Sequence, residues 1–453
     1  MAERPDANPC DPADRREVGS PVGPGAAEVK LLAMRVLLLS YGSRGDCEPF
    51  LAVGELLRAR GDEVVCAFPE QFRGLAESGG FDFHTLGGEF LDQLESDDMK
   101  VALSGSGGRR VMGYLRASSR GMDTQRLMVD RQADAIRCAR PDLVIHHSKC
   151  AYVVPWATLN GRKSMLFALQ PALLHEVKGT AHVGMPRWMP AWLSYALMRL
   201  GFVMMALLVV ERHFKDELTA QQVRRAILAE AVAYNVSPAL FAQPKYWPGH
   251  VRVVGFIERD KTAAWSPPAE LTDFLDAREK VLFLTFGSMT NSDPAANTTL
   301  FLQALSDCGI PAVINTAGGA FAEPEHRHGA DVLFVDEVPY DWVLPRVGAV
   351  VHHGGAGTVH SALKAGRPTM AIPHGFDQPL WDELIARAGV GPRGIPIGKL
   401  TLKHLKVKLL DLWQNPRYRR AAERVGRRMR AEKSGAVFND FVTRVTKSRR
   451  GTI

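Results

Sequence analysis

From Met34 the chain alternates between short, solidly apolar runs and stretches whose apolar residues recur at helical spacing. MRVLLLSYG is apolar at nearly every position, as a strand buried on both faces of a parallel sheet must be. GSRGDCEPF reads as a loop, LAVGELLRARG as a helix stopped by Gly61, and DEVVCAFP as a second strand. Strand, helix and strand in that order predict a right-handed βαβ unit. Further strands are predicted at Phe81–Thr85, Leu143–His146 and Ser164–Ala168, with a helix at Thr124–Arg137. Asn235–Gln243 and Val251–Phe256 read as the last strands of this half, and the glycine–serine run Ala102–Gly113 as a mobile loop.

The rhythm then breaks. Glu258–Glu270, ERDKTAAWSPPAE, is charged and proline-rich, which reads as a linker. Beyond it the pattern restarts: strands at Val281–Phe286, Ala312–Asn315 and Val332–Val335, and a helix at Thr298–Cys308. The predicted organisation is a disordered extension over 1–33, an α/β domain over 34–257, a linker over 258–270, a second α/β domain over 271–416 and a basic helix and tail over 417–453. Two such domains place a cleft between the carboxyl ends of two parallel sheets, where open α/β sheets bind ligands.

Val350–Trp381 concentrates the chemistry. It reads as a strand, a glycine turn, a helix over Gly357–Ala365, a strand at Thr369–Ile372 and an acidic loop. Gly354, Gly355 and Gly357 permit tight turns, and a glycine turn feeding a helix start aims unpaired N–H groups at one point, which suits a phosphate. Thr358 adds a hydroxyl and His353 a further donor; Asp377 and Gln378, a carboxylate beside an amide, suit sugar hydroxyls.

Between its charged ends, Arg187–Glu211 is almost entirely apolar except for Ser194 and Arg199. Pro190 and Arg199 interrupt a bilayer-spanning length, and a mid-membrane charge is expensive. A pair of helices lining an apolar pocket or dipping onto a membrane surface is predicted instead. The net charge of +7 is concentrated at the C-terminus, where Arg417–Arg450 holds ten Arg and two Lys against three acids. That run reads as a solvated helix face with a possible anionic-membrane role; no aromatic interleaving points to nucleic acid. The six cysteines lie far apart without a Cys-x-x-Cys pair, and no apolar leader opens the chain, so reduced thiols and a cytoplasmic location are expected, with membrane association as the variant.

His353-Gly-Gly-Ala-Gly-Thr358, with Asp377-Gln378 about twenty residues on and VPYDWVLP upstream at Val338–Pro345, resembles the donor-site signature of nucleotide-sugar glycosyltransferases of the GT-B fold. It is closest to the family that holds sterol glucosyltransferases and bacterial natural-product glycosyltransferases. The resemblance implies an α/β GT-B fold: two Rossmann-like parallel-sheet domains facing across a cleft. It implies transfer of a hexose, with inversion, from a nucleotide sugar (UDP-glucose is expected) to a hydroxyl of a lipophilic small molecule.

GSRGDCEP resembles the loop in which bacterial members place a catalytic Asp, here Asp46; capping of the following helix by Asp46 is the plainer reading, and the two can coexist. By resemblance, Ser288, His353, Gly355, Ala356, Gly357 and Thr358 hold the diphosphate, Val338 meets the nucleobase, and Asp377 and Gln378 meet the sugar. No two Asp stand two residues apart, so the Asp-x-Asp metal motif is missing; no metal or other cofactor is expected. Trp342, His374 and Trp381 are candidate pocket walls; His146, His147 and His175 are candidate acceptor contacts, and His84 and His250 read as structural. The match thins between Ser104 and Glu230, where FALQPALLHE lacks the Pro-Trp pair of the sterol enzymes, which weakens a sterol acceptor. A non-catalytic GT-B-like partner that activates another transferase is the alternative.

Overall fold

The computed structural model describes residues 33–89, 124–183, 185, 188–259, 265–287, 289, 293–316, 319–325, 329 and 331–447. The first sheet contains β1 (Arg35–Leu39), β2 (Glu63–Phe68), β3 (Asp82–Thr85), β4 (Leu143–His146), β5 (Lys163–Ala168), β6 (Ala231–Tyr234) and β7 (Val251–Val253), in the order β3-β2-β1-β4-β5-β6-β7. The second contains β8 (Leu282–Thr285), β9 (Ala312–Asn315), β10 (Val332–Val335), β11 (Ala349–His352) and β12 (Thr369–Ala371), in the order β10-β9-β8-β11-β12. Every pairing is parallel. In each sheet the order reverses beside the first strand, between β1 and β4 and between β8 and β11. Those are the points where loops diverge and a ligand crevice opens.

The strand residues explain the architecture. β1, β4, β8, β9 and β11 are apolar and almost wholly buried, because helices cover both faces of each sheet. Leu37, Leu39 and Val144 pack to one side of the first sheet, and Leu38, Ile145 and Phe167 to the other.

Three local expectations are corrected. GSRGDCEPF is not a loop throughout: the helix begins at Arg44 and runs to Ala59, because Ser43 and Asp46 form a capping box at its start. Asn235–Gln243 is not a strand. β6 ends at Tyr234, Pro238 cannot donate to a ladder, and Asn235 Oδ1 instead accepts the Ile257 N–H at 2.8 Å. Arg187–Glu211 does not form a helix pair: Ala191–His213 is one continuous helix, Pro190 stands just before it, and Arg199 turns inward to donate to the Leu174 carbonyl at 3.2 Å. That helix is long and apolar enough to cross a membrane by length and composition. Its outward positions, including Trp192, Leu197, Leu200, Met204 and Leu208, form an uncharged exposed row.

The C-terminal helices tie the two halves together. In Pro416–Arg430, Ala421, Ala422, Val425 and Met429 pack against Val359, Leu363 and Trp381, while every arginine of the helix is exposed. Ser434–Lys447 then crosses back, burying Phe438, Phe441, Val442 and Val445 in the core of the first sheet. Cys47, Cys66, Cys150 and Cys308 are free thiols.

Candidate active site

Asp46 sits in the first helical turn after β1, facing the crevice between the sheets. Its Oδ2 accepts the Ser43 backbone N–H at 2.8 Å and the Ser43 hydroxyl at 3.2 Å. Two side chains reach it from the turn after β4: Lys149 Nζ lies 3.4 Å from Oδ2 and His147 Nε2 lies 3.5 Å from Oδ1. Burial alone would raise the Asp46 pKa, but the Lys149 charge, His147 and the Ser43 N–H outweigh it and hold the carboxyl below its ordinary value. Gly42 makes this packing possible. Its φ is +137°, and a Cβ there would lie 2.0 Å from Asp46 Oδ2.

The opposite wall is built where β8 and β11 end. Gly355 precedes the helix Ala356–Lys364, and no side chain caps that start. The N–H groups of Ala356, Gly357 and Thr358 are thus at the open end of a helix dipole. The His353 ring lies between two glycine turns: a Cβ on Gly355 would be 2.2 Å from its Nε2, and one on Gly287 3.0 Å from its Cε1. His353 Nδ1 is buried without a hydrogen-bond partner among the described residues, as are His352 Nε2 and His374 Nε2. Burial, then the neighbouring His352 and His374, push the His353 pKa well down, so the site presents a neutral imidazole. Thr358 is buried beneath the turn, where the Tyr340 hydroxyl reaches both it and Thr285 Oγ1, the latter at 2.9 Å. Ser288 lies outside the described residues.

Asp377 begins the helix Gln378–Ala388 and accepts the Trp381 indole N–H on Oδ2 at 2.6 Å. Burial pushes its pKa up to about 6, with the Asp46 charge adding to the rise and the Lys149 charge opposing it. Asp377 follows the last strand of the second sheet and Asp46 the first strand of the first, close enough for their charges to be felt between them. Gln378 is turned to its own loop: Oε1 accepts the His374 N–H at 2.6 Å and the Gly375 N–H at 3.2 Å. Val338 is buried against Val343 and Leu344, and Trp342 packs edge-on against Trp265, with ring centroids 5.2 Å apart.

The paired histidines diverge, as expected for neighbours on a strand. His146 points back into the domain, where Nε2 meets Glu230 Oε1 at 2.7 Å, and Ser164 donates to the same oxygen at 2.7 Å. His175 meets the Tyr234 hydroxyl at 3.2 Å and His250 meets the Leu228 carbonyl at 3.1 Å. Sequence reasoning missed Lys149 and Tyr340. HHSK, directly after an apolar strand, was a usable signal for the first. Tyr340 lies within the VPYDWVLP match and was passed over for Trp342.

Two parallel sheets of this topology, with crevice groups converging from both, define the GT-B class, and solved glycosyltransferases share the arrangement. A kitacinnamycin glycotransferase matches with TM-score 0.62 at 20% identity, covering 91% of this chain and 99% of the other. The glycosyltransferase VinC, solved with dTDP, matches with TM-score 0.62 at 18% identity, covering 91% and 100%.

Residues 320–440 match the erythromycin biosynthesis protein CIII-like C-terminal domain. A sterol 3-beta-glucosyltransferase of Arabidopsis thaliana is 29% identical over 88% of this chain, which spans 63% of that relative's length. The O-mycaminosyltylonolide 6-deoxyallosyltransferase of Streptomyces fradiae is 28% identical over 88% of this chain and 94% of its own. The chain is similar in sequence to these sterol and macrolide glycosyltransferases, and its fold is GT-B.

Proposed function

We propose that the protein transfers a hexose, with inversion, from a nucleoside-diphosphate sugar to a hydroxyl of a lipophilic small molecule. The observation that carries this reading is the placement of Asp46 and Asp377 on opposite walls of one cleft, with the His353 and Gly355 turn beside Asp377. Asp46 takes the proton of the acceptor hydroxyl as its oxygen attacks the anomeric carbon. The bond from that carbon to the diphosphate breaks, and its electron pair leaves on the diphosphate.

The N–H groups of Ala356, Gly357 and Thr358, with His353, Gly355 and Ser288, receive that charge, so that fixed donors do the work a metal does elsewhere. Val338 contacts the base. Asp377 binds sugar hydroxyls, and Gln378 holds the loop that presents it. UDP-glucose is the donor we infer; the neighbour solved with dTDP makes a thymidine nucleotide the competing choice. The relatives' names support a sterol or a macrolide as acceptor.

A melting-temperature screen with UDP, dTDP and GDP, each with and without EDTA, tests the donor site, because a ligand of the folded state raises Tm by mass action. A shift from one diphosphate that EDTA leaves intact supports the reading. No shift from any would favour a non-catalytic GT-B-like partner. Near-normal turnover by Asp46→Asn would remove Asp46 from its role, and an axial anomeric product from an axial donor would remove inversion.

A cytoplasmic enzyme that associates peripherally with membranes is the reading we propose for location. The exposed apolar row on Ala191–His213 supports it more directly than the basic C-terminal run, whose helices are packed onto both halves. Flotation with anionic vesicles tests both: loss of flotation in Trp192→Ser with Leu200→Ser would assign the contact to the row, and loss on deleting the tail after Lys447 would assign it to the basic end.

A further inference from the structure

We propose that Lys149, backed by His147, is the positioning residue for Asp46: it fixes the carboxylate in the cleft and sets how far the pH must fall before that carboxylate is lost. The inference rests on the reading of Asp46 as the base and extends it to a residue outside the sequence signature.

Lys149 and His147 reach Asp46 through the topology. β4 lies beside β1, and the chain leaving β4 is bound back to it: the His147 N–H donates to the Leu39 carbonyl at 2.9 Å and the Cys150 N–H to the His147 carbonyl at 3.0 Å. This tight turn throws two side chains toward the start of the β1 helix. Lys149 Nζ donates to the Tyr41 carbonyl at 3.2 Å and lies 3.4 Å from Asp46 Oδ2, so the ammonium is tethered to the β1 loop as well as to the carboxylate.

The Lys149 backbone N–H donates to His147 Nδ1 at 3.3 Å. That bond leaves the imidazole proton on Nε2, the atom facing Asp46 Oδ1. Burial, then Lys149, push the His147 pKa down to about 3, so His147 serves as a neutral donor. One oxygen of Asp46 therefore faces His147, and the other faces Lys149 and Ser43. The glycine at 42 keeps this space open, since a Cβ there would also come within 2.7 Å of Lys149 Nζ.

The other charged or titratable groups around Asp46 cannot substitute for Lys149. On its own helix, Arg44 is engaged with Glu48 at 3.3 Å and Glu337 at 3.8 Å, and Cys47 is a buried thiol. From the β1 loop comes the backbone of Tyr41 and Ser43, and from across the cleft comes Asp377, a second carboxyl. Lys149 is thus the cation in direct contact with Asp46 among the described residues. A carboxylate facing Asp377 and an incoming diphosphate would otherwise be driven toward its protonated form, which cannot accept a proton from the acceptor. The same cation weakens the carboxylate as a base, so Lys149 trades basicity for a constant supply of ionised Asp46.

The test pairs a direct titration with kinetics. Protein labelled with 13C at the aspartate carboxyls is titrated, and the Asp46 signal is assigned by its loss in Asp46→Asn. Lys149→Met is expected to move the Asp46 midpoint upward by about one pH unit or more, and Lys149→Arg to restore most of the shift. The acidic limb of kcat/KM should move with it, whereas a purely structural role would lower the rate at every pH without moving the limb. An Asp46 midpoint unchanged in Lys149→Met overturns the proposal, even if the rate falls. The titration decides the matter without turnover, so a wild-type protein that transfers no sugar would refute the functional reading separately.

Discussion

Trp381 donates its indole N–H to Asp377 Oδ2 at 2.6 Å, and this bond holds a carboxyl whose burial has lifted its pKa to about 6. In the folded state Asp377 binds its proton more tightly than in the unfolded chain, where an aspartate titrates near ~3.9. Its contribution to stability therefore falls as pH rises from about 4 to about 6. Asp377→Asn should abolish that fall, visible as a Tm gain over the parent at pH 7.5 that disappears at pH 4.5. In the parent, nucleotide-sugar affinity should weaken as pH drops through about 6 while the affinity for the free nucleoside diphosphate does not follow. Calorimetry at pH 5 and 7.5 separates the two ligands; parallel behaviour would take Asp377 out of the sugar site.

Gly355 and His353 make the second prediction. An alanine Cβ at 355 would lie 2.2 Å from His353 Nε2, although the backbone, at φ −68°, tolerates alanine. Gly355→Ala should push the ring out of its slot and weaken nucleoside-diphosphate binding about tenfold or more, or roughly 1.4 kcal/mol. Titration calorimetry, with the melting curve as a control for folding, measures it. Unchanged affinity would show that the His353 slot is not used by the diphosphate.

His146 is buried with both ring nitrogens on oxygen: Nε2 at Glu230 and Nδ1 at 3.0 Å from the His147 carbonyl. Both contacts are bonds only if the ring is protonated. Burial opposes that charge, but Glu230 and the hydrogen bonds prevail and raise the His146 pKa. The stabilisation is complete below the ordinary histidine value of ~6.5 and is lost as pH rises through the raised one. Glu230→Ala should cost about 3 kcal/mol at pH 6, the penalty for an uncompensated buried charge, and less at pH 8.5. Urea unfolding at the two pH values tests it; an equal loss at both would mean that His146 is neutral.

Phe376 sits one residue before Asp377 with φ +52° and 58% of its surface exposed. The left-handed backbone costs a side-chain-bearing residue about 1 kcal/mol or more, and glycine is free of that cost. Phe376→Gly should leave Tm unchanged or higher by about 2 °C. A fall of more than that would mean the ring is packed. A stable variant with a tenfold lower transfer rate would assign the exposed ring to a substrate.

Much of the fold was legible because its strands are buried on both faces. β4, β9 and β10 coincide with runs that are apolar at every position or nearly so. The local signals failed where a side chain chose the backbone. Ser43 and Asp46 start a helix inside what reads as a glycine loop, and Asn235 turns the chain toward Ile257 inside what reads as a strand. Arg199 appeared to break an apolar helix because the Leu174 carbonyl that receives it is distant in sequence.

By itself the sequence determined two α/β halves, the glycine turn from His353 to Thr358, and the carboxylates Asp46 and Asp377 as the polar groups at strand ends. These are local properties: burial sets the strands, and glycine spacing sets the turn. Tertiary structure decided which groups meet. Parallel pairing of β1 with β4 carries Lys149 across 103 positions to Asp46, and the returning helix Ser434–Lys447 seats Phe438 in the core of the opposite half. Charge coupling between Asp46 and Asp377 exists only because two separately folded sheets present their carboxyl ends to one cleft. No period in the chain encodes that distance.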